Sequence, residues 1–139
     1  MSLERTYAMI KPDAVAAGNS GKIIDLIEKN GFRIVAMKKL HMTKAQGEAF
    51  YGVHKERPFF NSLVTFMTEG PIVALVMERE DAIKTWRDVM GATNPANAAE
   101  GTVRKLYATS IERNAAHGSD AVETAAEETH FFFTSADLL

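Results

Sequence analysis

The 139-residue chain contains no cysteine, which rules out disulfides, thiolate metal sites and thiol nucleophiles and suits a reducing compartment. Long hydrophobic runs are missing as well. No stretch approaches the roughly 20 apolar residues of a membrane span, and Met1 to Arg5 places charges where a signal peptide needs an apolar run. Nor is there an excess of one charge. A formal net charge of -2 gives no overall basic field to draw in nucleic acid or an anionic membrane, so any cations must act locally. The glycine fingerprints of common nucleotide sites, the Walker loop, the dinucleotide turn and the protein-kinase loop, are absent too. What is present, 46% hydrophobic and 24% charged residues, matches an ordinary globular protein. A single domain over residues 1–139, in the cytoplasm, is the expectation.

The pattern along the chain predicts an α+β fold. Thr6 to Ile10 reads as a buried strand stopped by Lys11-Pro12. Gly21 to Asn30 places Ile23, Ile24 and Ile27 on one helical stripe, with Gly31 set to end it. Ile34 to Met42 alternates like a half-buried strand. Thr43 and Gln46 have capping-box spacing for a helix towards Tyr51, and a second helix is expected over Ser62 to Met67. Pro71 to Met77 is the most apolar strand candidate, followed by a helix over Asp81 to Met90. Gly91 to Gly118 reads as a long loop, and long loops in compact domains are commonly functional. Asp120 and Glu123 suggest a capped helix to about Glu128, and Thr129 to Phe133 a closing strand, with the tail from Thr134 on the surface. This order implies a ferredoxin-like α/β sandwich with a four-stranded antiparallel sheet and an inserted helix pair.

Chemistry is concentrated in Asn114 to Asp120, where His117 stands between small residues and a helix start. A neutral imidazole carries a free lone pair on one ring nitrogen, so histidine is a nucleophile near neutral pH. Taken alone, a loop histidine reads as a surface or structural residue. Lys11, Arg87 and Arg104, scattered along the chain, supply the charge neutralisation that phosphoryl transfer needs if they converge in space.

Five segments, Met9 to Val15, His54 to Phe60, Met90 to Pro95, Gly101 to Arg104 and Asn114 to Asp120, resemble nucleoside diphosphate kinases in order and spacing. The resemblance runs from about Arg5 to Phe133. It implies transfer of the terminal phosphate of a nucleoside triphosphate to a nucleoside diphosphate by a ping-pong mechanism, through a phosphohistidine formed on Nδ1 of His117. It further implies that Glu128 orients the imidazole and that Ser119 supports the same site, although Ser119 also reads as a simple helix cap. Tyr51, Arg87, Thr93 and Arg104 match the family's phosphate contacts. Lys11 and Asn114 match its ribose contacts, with Lys11 also near the phosphate. Phe59 matches the ring on which the base stacks, with Ile111 on the base's other face. Mg²⁺, carried mainly by the nucleotide phosphates and with no protein metal cage, is the implied cofactor. The implied assembly is a homo-oligomer, a tetramer or hexamer built from dimers, with no membrane or nucleic acid needed for the main activity. Arg57, His54, His41 and His130 are expected to play no part in the chemistry. The chain departs from the family pattern at Leu106, where many relatives have Asp, and at Glu100, where many have Pro; neither touches the implied catalytic set, and the resemblance places the region from Pro95 to Gly101 in subunit assembly.

Two other classes compete. An RNA-recognition domain would share the fold but needs a basic-glycine-aromatic strand, and Phe131 to Phe133 stand without one. A histidine phosphatase would also form a phosphohistidine, but Phe59, Asn114 and Lys11 would then be idle.

Overall fold

The computed structural model describes residues 3–139. Four strands, β1 (Leu3–Ile10), β2 (Arg33–Leu40), β3 (Ile72–Glu80) and β4 (Ala116–Gly118), form one sheet in the order β2-β3-β1-β4. Every pairing is antiparallel, as expected from the sequence. β1 and β3 are central and pair along their full length, from Leu3 opposite Glu80 to Ile10 opposite Val73. Both have helices or loops on each face, which is why their cores are continuous apolar runs rather than alternating ones.

Helix α1 (Pro12–Ala16) follows β1 directly. Pro12 stops the strand, as the sequence predicts. It also opens this short helix, because a proline at the first helical position lacks only an N–H that would have no partner there, and its φ suits the helix. α2 (Ser20–Lys29) buries Ile23 and Ile27 and ends at Gly31, whose φ of 83° only glycine adopts without strain. α3 (Lys44–Phe50) begins with the expected capping box between Thr43 and Gln46. With α4 (Phe60–Met67) it forms the inserted helix pair. α5 (Ala82–Met90) turns Ala82, Trp86 and Met90 into the sheet.

The second half corrects the sequence reading in three places. Residues 91–118 are not one loop: they hold a 3₁₀ turn (Pro95–Asn97), helix α6 (Val103–Tyr107) capped by Thr102, and β4. Thr129 to Phe133 is not a closing strand. α7 (Val122–Phe132) runs through it, because Ala125, Thr129 and Phe133 fall at helical spacing and are all buried. The aromatic run suggested a strand by its β-propensity, but the alanine-rich turns before it carry the helix onward. The fourth strand is instead the three-residue segment bearing His117, which pairs with β1 opposite Met9. Nor do Asp120 and Glu123 form a capping box: the Thr124 hydroxyl accepts from the Ala121 N–H one position later.

Two cores flank the sheet. One, against α2 and α5, gathers Ile10, Ile23, Ile27, Leu75, Met77 and Trp86. The other, under α3, α4 and α7, gathers Tyr7, Met9, Tyr51, Phe66, Met67 and Phe133. Among the described residues no helix is long and apolar enough to cross a membrane.

Candidate active site

His117 sits on β4 at the sheet edge, and three contacts hold it. Its carbonyl accepts from Trp86 Nε1 at 3.1 Å, from the first core. Gly118, next to it, has no room for a side chain: an added Cβ would lie 2.5 Å from Trp86 Cδ1. The imidazole turns to the other face of the sheet, where Nε2 lies 3.0 Å from Glu128 Oε1 on α7. A carboxylate partner puts the proton on Nε2 and leaves Nδ1 with its lone pair.

Ser119, almost fully buried, donates from Oγ to the same Glu128 oxygen at 2.6 Å. Its place is therefore beside the carboxylate and not at a helix cap. Burial works to raise the Glu128 pKa, but the hydrogen bond from His117, its charge and the Ser119 hydroxyl outweigh that and hold it below the usual carboxylate range. Glu128 thus stays ionised at neutral pH as an anionic acceptor for the ring.

The backbone before His117 is strained. Ala115 has φ 73°, rare for a residue with a Cβ, and the Ala116 N–H closes a three-residue turn onto the Asn114 carbonyl at 2.9 Å. The start of α1 clamps this turn. Lys11 N–H donates to the Ala115 carbonyl at 2.9 Å, and Asp13 Oδ2 accepts from the Ala115 N–H at 3.1 Å. Asp13 was not singled out by the sequence, since its role depends on a contact with residues far along the chain. Strain held by surrounding bonds in this way is frequent at sites of chemistry.

An open cleft of about 800 Å³ lies in front of His117. Eight of the predicted residues line it: Lys11, Tyr51, Phe59, Arg87, Thr93, Arg104, Asn114 and His117. They come from α5, α6, β4 and the loops that follow β1, α3 and α5 or precede α4 and β4, so the convergence that sequence alone could not supply is present. Glu128 and Ser119 stand behind the histidine rather than in the cleft. Ile111 is not among the lining residues; it is largely exposed on the loop before Asn114. That loop is tied to the base of Phe59 by Ser62, whose Oγ lies 3.1 Å from both the Phe59 carbonyl and Glu112. His54, expected to be uninvolved, does line the cleft, with its ring 5.4 Å from that of Phe59. Arg57 does not.

The electrostatics are those of an anion site. Lys11 Nζ donates to Asn114 Oδ1 at 2.7 Å. Burial, then the nearby Arg104 charge, push the Lys11 pKa down to about 8, against opposing pulls from Asp13 and Glu112. Burial and Arg87 likewise lower Arg104 to about 10, so it remains charged at neutral pH. Arg104 also builds the loop around it, donating to the carbonyls of Gly91 at 3.0 Å, Ala116 at 2.9 Å and Asn114 at 3.3 Å. Arg87 is exposed at the rim and pairs with Asp120 at 2.8 Å. The Tyr51 hydroxyl is buried without a partner, and burial followed by the Glu128 charge raises its pKa, so it is a neutral donor.

A family model described as nucleoside diphosphate kinase matches residues 4–138. The chain belongs to the nucleoside diphosphate kinase family. A nucleoside diphosphate kinase of Azorhizobium caulinodans is 60% identical over 139 residues, covering 100% of this chain and 99% of that one. One from Geobacter sulfurreducens is 58% identical over 137 residues, covering 99% of this chain and 100% of the other. Among solved structures, the Aquifex aeolicus nucleoside diphosphate kinase superposes with a TM-score of 0.97 at 42% identity, covering 99% of this chain and 100% of that one. A Halobacterium salinarum nucleoside diphosphate kinase, solved in complex with CDP, gives 0.94 at 36% identity, covering 99% and 92%. As a member of a nucleoside diphosphate kinase family the chain is a phosphotransferase, and the RNA-recognition and histidine-phosphatase readings fall away.

Proposed function

We propose that the family reaction, transfer of the γ-phosphate of a nucleoside triphosphate to a nucleoside diphosphate, runs in this chain through Nδ1 of His117. The observation that carries this reading is the 3.0 Å contact of Nε2 with Glu128, which leaves Nδ1 as the one unprotonated ring nitrogen beside a cationic cleft. The Nδ1 lone pair attacks the γ-phosphorus and the bond to the β,γ-bridging oxygen breaks, releasing the diphosphate. The positive charge gained by the ring is shared along Nε2–H with Glu128. A second diphosphate in the same cleft then reverses the step, which makes the kinetics ping-pong.

In this scheme Arg87, Arg104, Thr93 and the free Tyr51 hydroxyl hold the phosphates, and charge neutralisation of this kind supplies most of the catalysis in phosphoryl transfer. Lys11 and Asn114 hold the ribose hydroxyls. Phe59, 47% exposed at the cleft edge, offers its face to the base with Ile111 opposite, and stacking of that sort accepts any base. Mg²⁺ belongs to the proposal as cargo of the nucleotide, where it would neutralise phosphate oxygens. The cleft's polar side chains are cationic or neutral apart from Asp88 and Asp120, a set suited to phosphate rather than to a bare cation.

A homo-oligomer, tetramer or hexamer, is part of the same reading. β2 is an edge strand with Met37 half-exposed on it, the kind of edge that another chain can cover. Sedimentation would give the assembly size. The cytoplasmic location suggested by the cysteine-free composition also stays with this proposal. Incubation with γ-labelled ATP should place label on His117, and a chase with a different nucleoside diphosphate should remove it as the triphosphate. His117→Ala should abolish both while leaving the fold intact, and turnover in that variant would sink the mechanism.

A further inference from the structure

Phe59 at the start of α4 and Ile111 in the loop before Asn114 are far apart in sequence, yet one helix face serves both. Ser62, Phe66 and Glu69 follow Phe59 at helical spacing, and the Glu69 N–H still donates to the Phe66 carbonyl at 3.2 Å, so the stripe continues just past the helix end. The loop closes on itself. The Thr109 N–H donates to the Arg113 carbonyl at 2.9 Å and the Arg113 N–H to Ser110 Oγ at 3.0 Å, with Ile111 between them. Two side chains leave this loop for the stripe. Glu112 Oε2 accepts from Ser62 Oγ at 3.1 Å. That hydroxyl has one proton, and the Phe59 carbonyl beside it already accepts from the Leu63 N–H at 2.9 Å, so the anionic carboxylate is the better acceptor. Arg113 pairs with both Glu69 oxygens, at 3.0 and 3.2 Å, and its guanidinium lies over the Phe66 ring at 4.8 Å. A groove of about 380 Å³ between loop and helix is bordered by both attachments and is polar apart from Phe66, so these bonds, not apolar packing, hold the loop here.

We propose that Glu112 and Arg113, through Ser62 and Glu69, are positioning residues for the base: they fasten Ile111 to the helix that begins beside Phe59, so the slot has its width before a nucleotide arrives. The inference rests on the reading that the base stacks between Phe59 and Ile111. A loose loop would have to be ordered at each binding event, and holding it beforehand removes that cost for every base alike. None of the four attaching side chains lines the cleft, so their effect belongs to nucleotide affinity and not to phosphate chemistry. The attachments lie at the surface, with the Arg113 and Glu69 side chains 45% and 40% exposed, so each bond is worth little alone and the expected changes are modest.

Ser62→Ala and Glu112→Ala should each raise the KM of ADP, GDP, CDP and UDP by about two- to fivefold, with kcat at saturation unchanged. The double variant should do no more than either single one, because both remove the same bond. Glu112→Gln keeps an acceptor oxygen and should stay near the parent. A loss equal to that of Glu112→Ala would overturn the proposal, by assigning the effect to the charge that Glu112 presents to Lys11. Glu69→Arg and Arg113→Glu should each raise KM to a similar extent, and together, with the net charge restored, should recover most of the loss. Inorganic tripolyphosphate, which has no base, tests for a merely structural role: in Ser62→Ala, which alters no charge, its inhibition constant should hold. Equal weakening of tripolyphosphate and nucleotides would overturn the proposal, by placing the damage in the phosphate site. A lowered melting temperature with unmoved KM values would overturn it as well. Phe59→Ala separates this inference from the reading beneath it. Unchanged affinity in that variant removes the stacking itself, whereas weaker binding there beside unmoved KM values in Ser62→Ala and Arg113→Glu defeats only the roles of Glu112 and Arg113.

Discussion

The two faces of the sheet do different work. The face under α2 and α5 is built from Ile10, Ile23, Ile27, Leu75 and Trp86, side chains whose value lies in volume and burial. The face under α3, α4 and α7 holds tyrosines, methionines and phenylalanines, and two of its hydroxyls, on Tyr7 and Tyr51, are buried without partners. One face holds the chain together; the other presents a nucleophile. His117 lies where they meet, its carbonyl gripped by Trp86 from the first and its imidazole turned into the second. The division teaches that stability and reactivity are carried by opposite sides of one β-strand.

Substitutions on each side should separate the two properties. The largest effect is expected in the first core: Ile27→Ala should cost about 2–5 kcal/mol of stability from lost burial and a residual cavity. Below its melting point the variant should keep nearly full kcat. Denaturant titration beside a steady-state assay checks both, and a large loss of kcat in folded protein would erase the distinction.

Arg104→Ala should show the converse, a loss of about 10²-fold or more in kcat. It should exceed the loss in Arg87→Ala, because Arg104 also ties together the carbonyls of Gly91, Asn114 and Ala116, whereas Arg87 is an exposed rim residue. Equal losses would mean that the carbonyl contacts add nothing to catalysis.

Phe59→Ala should weaken binding of purine and pyrimidine nucleotides alike by roughly 1–3 kcal/mol, with most of kcat recovered at saturation. Titration with ADP, GDP, CDP and UDP is the check. A loss restricted to one base would make Phe59 a reader of identity instead of a platform.

The smallest effect concerns pH. The folded pKa of Lys11, about 8, lies below the unfolded value of about 10.4. Charging this lysine therefore costs stability below pH 8, and that cost fades as pH rises from about 8 to about 10.4. A bound nucleotide favours the charged form. Between pH 7 and 8.5 nucleotide affinity should then fall by about fourfold, by simple titration, while the free protein becomes slightly more stable. Lys11→Arg should flatten the affinity profile. Affinity and stability moving together in the parent chain would contradict the burial of a charged Lys11.

The family and its candidate residues were legible from residue types in order, because Asn114 to Asp120 and the four other segments are local strings. The main helices and the strands β1, β2 and β3 were legible for a related reason: hydrophobic periodicity records which side of an element is buried, as in Ile23 and Ile27 of α2. The fourth strand was not. Three residues are too few to carry a period, and Ala116–Gly118 is a strand only because β1 offers it an open edge opposite Met9. Phe131 and Phe132 suggested a strand by type, yet they lie in a helix because the turns before them were already committed to one.

By itself, then, the sequence determined the α+β class, the family, and eight of the residues that line the cleft. Tertiary structure alone decided their geometry. That Lys11 meets Asn114, that Asp13 holds the strained Ala115, that Ser119 reaches Glu128 instead of capping a helix, and that His54 joins the cleft all depend on contacts made across the fold. The strands and helices were readable because their hydrogen bonds and burial patterns repeat over neighbouring residues. The site was not, because its bonds join residues as far apart as Lys11 and Asn114, and those distances exist only once both cores have closed around the sheet.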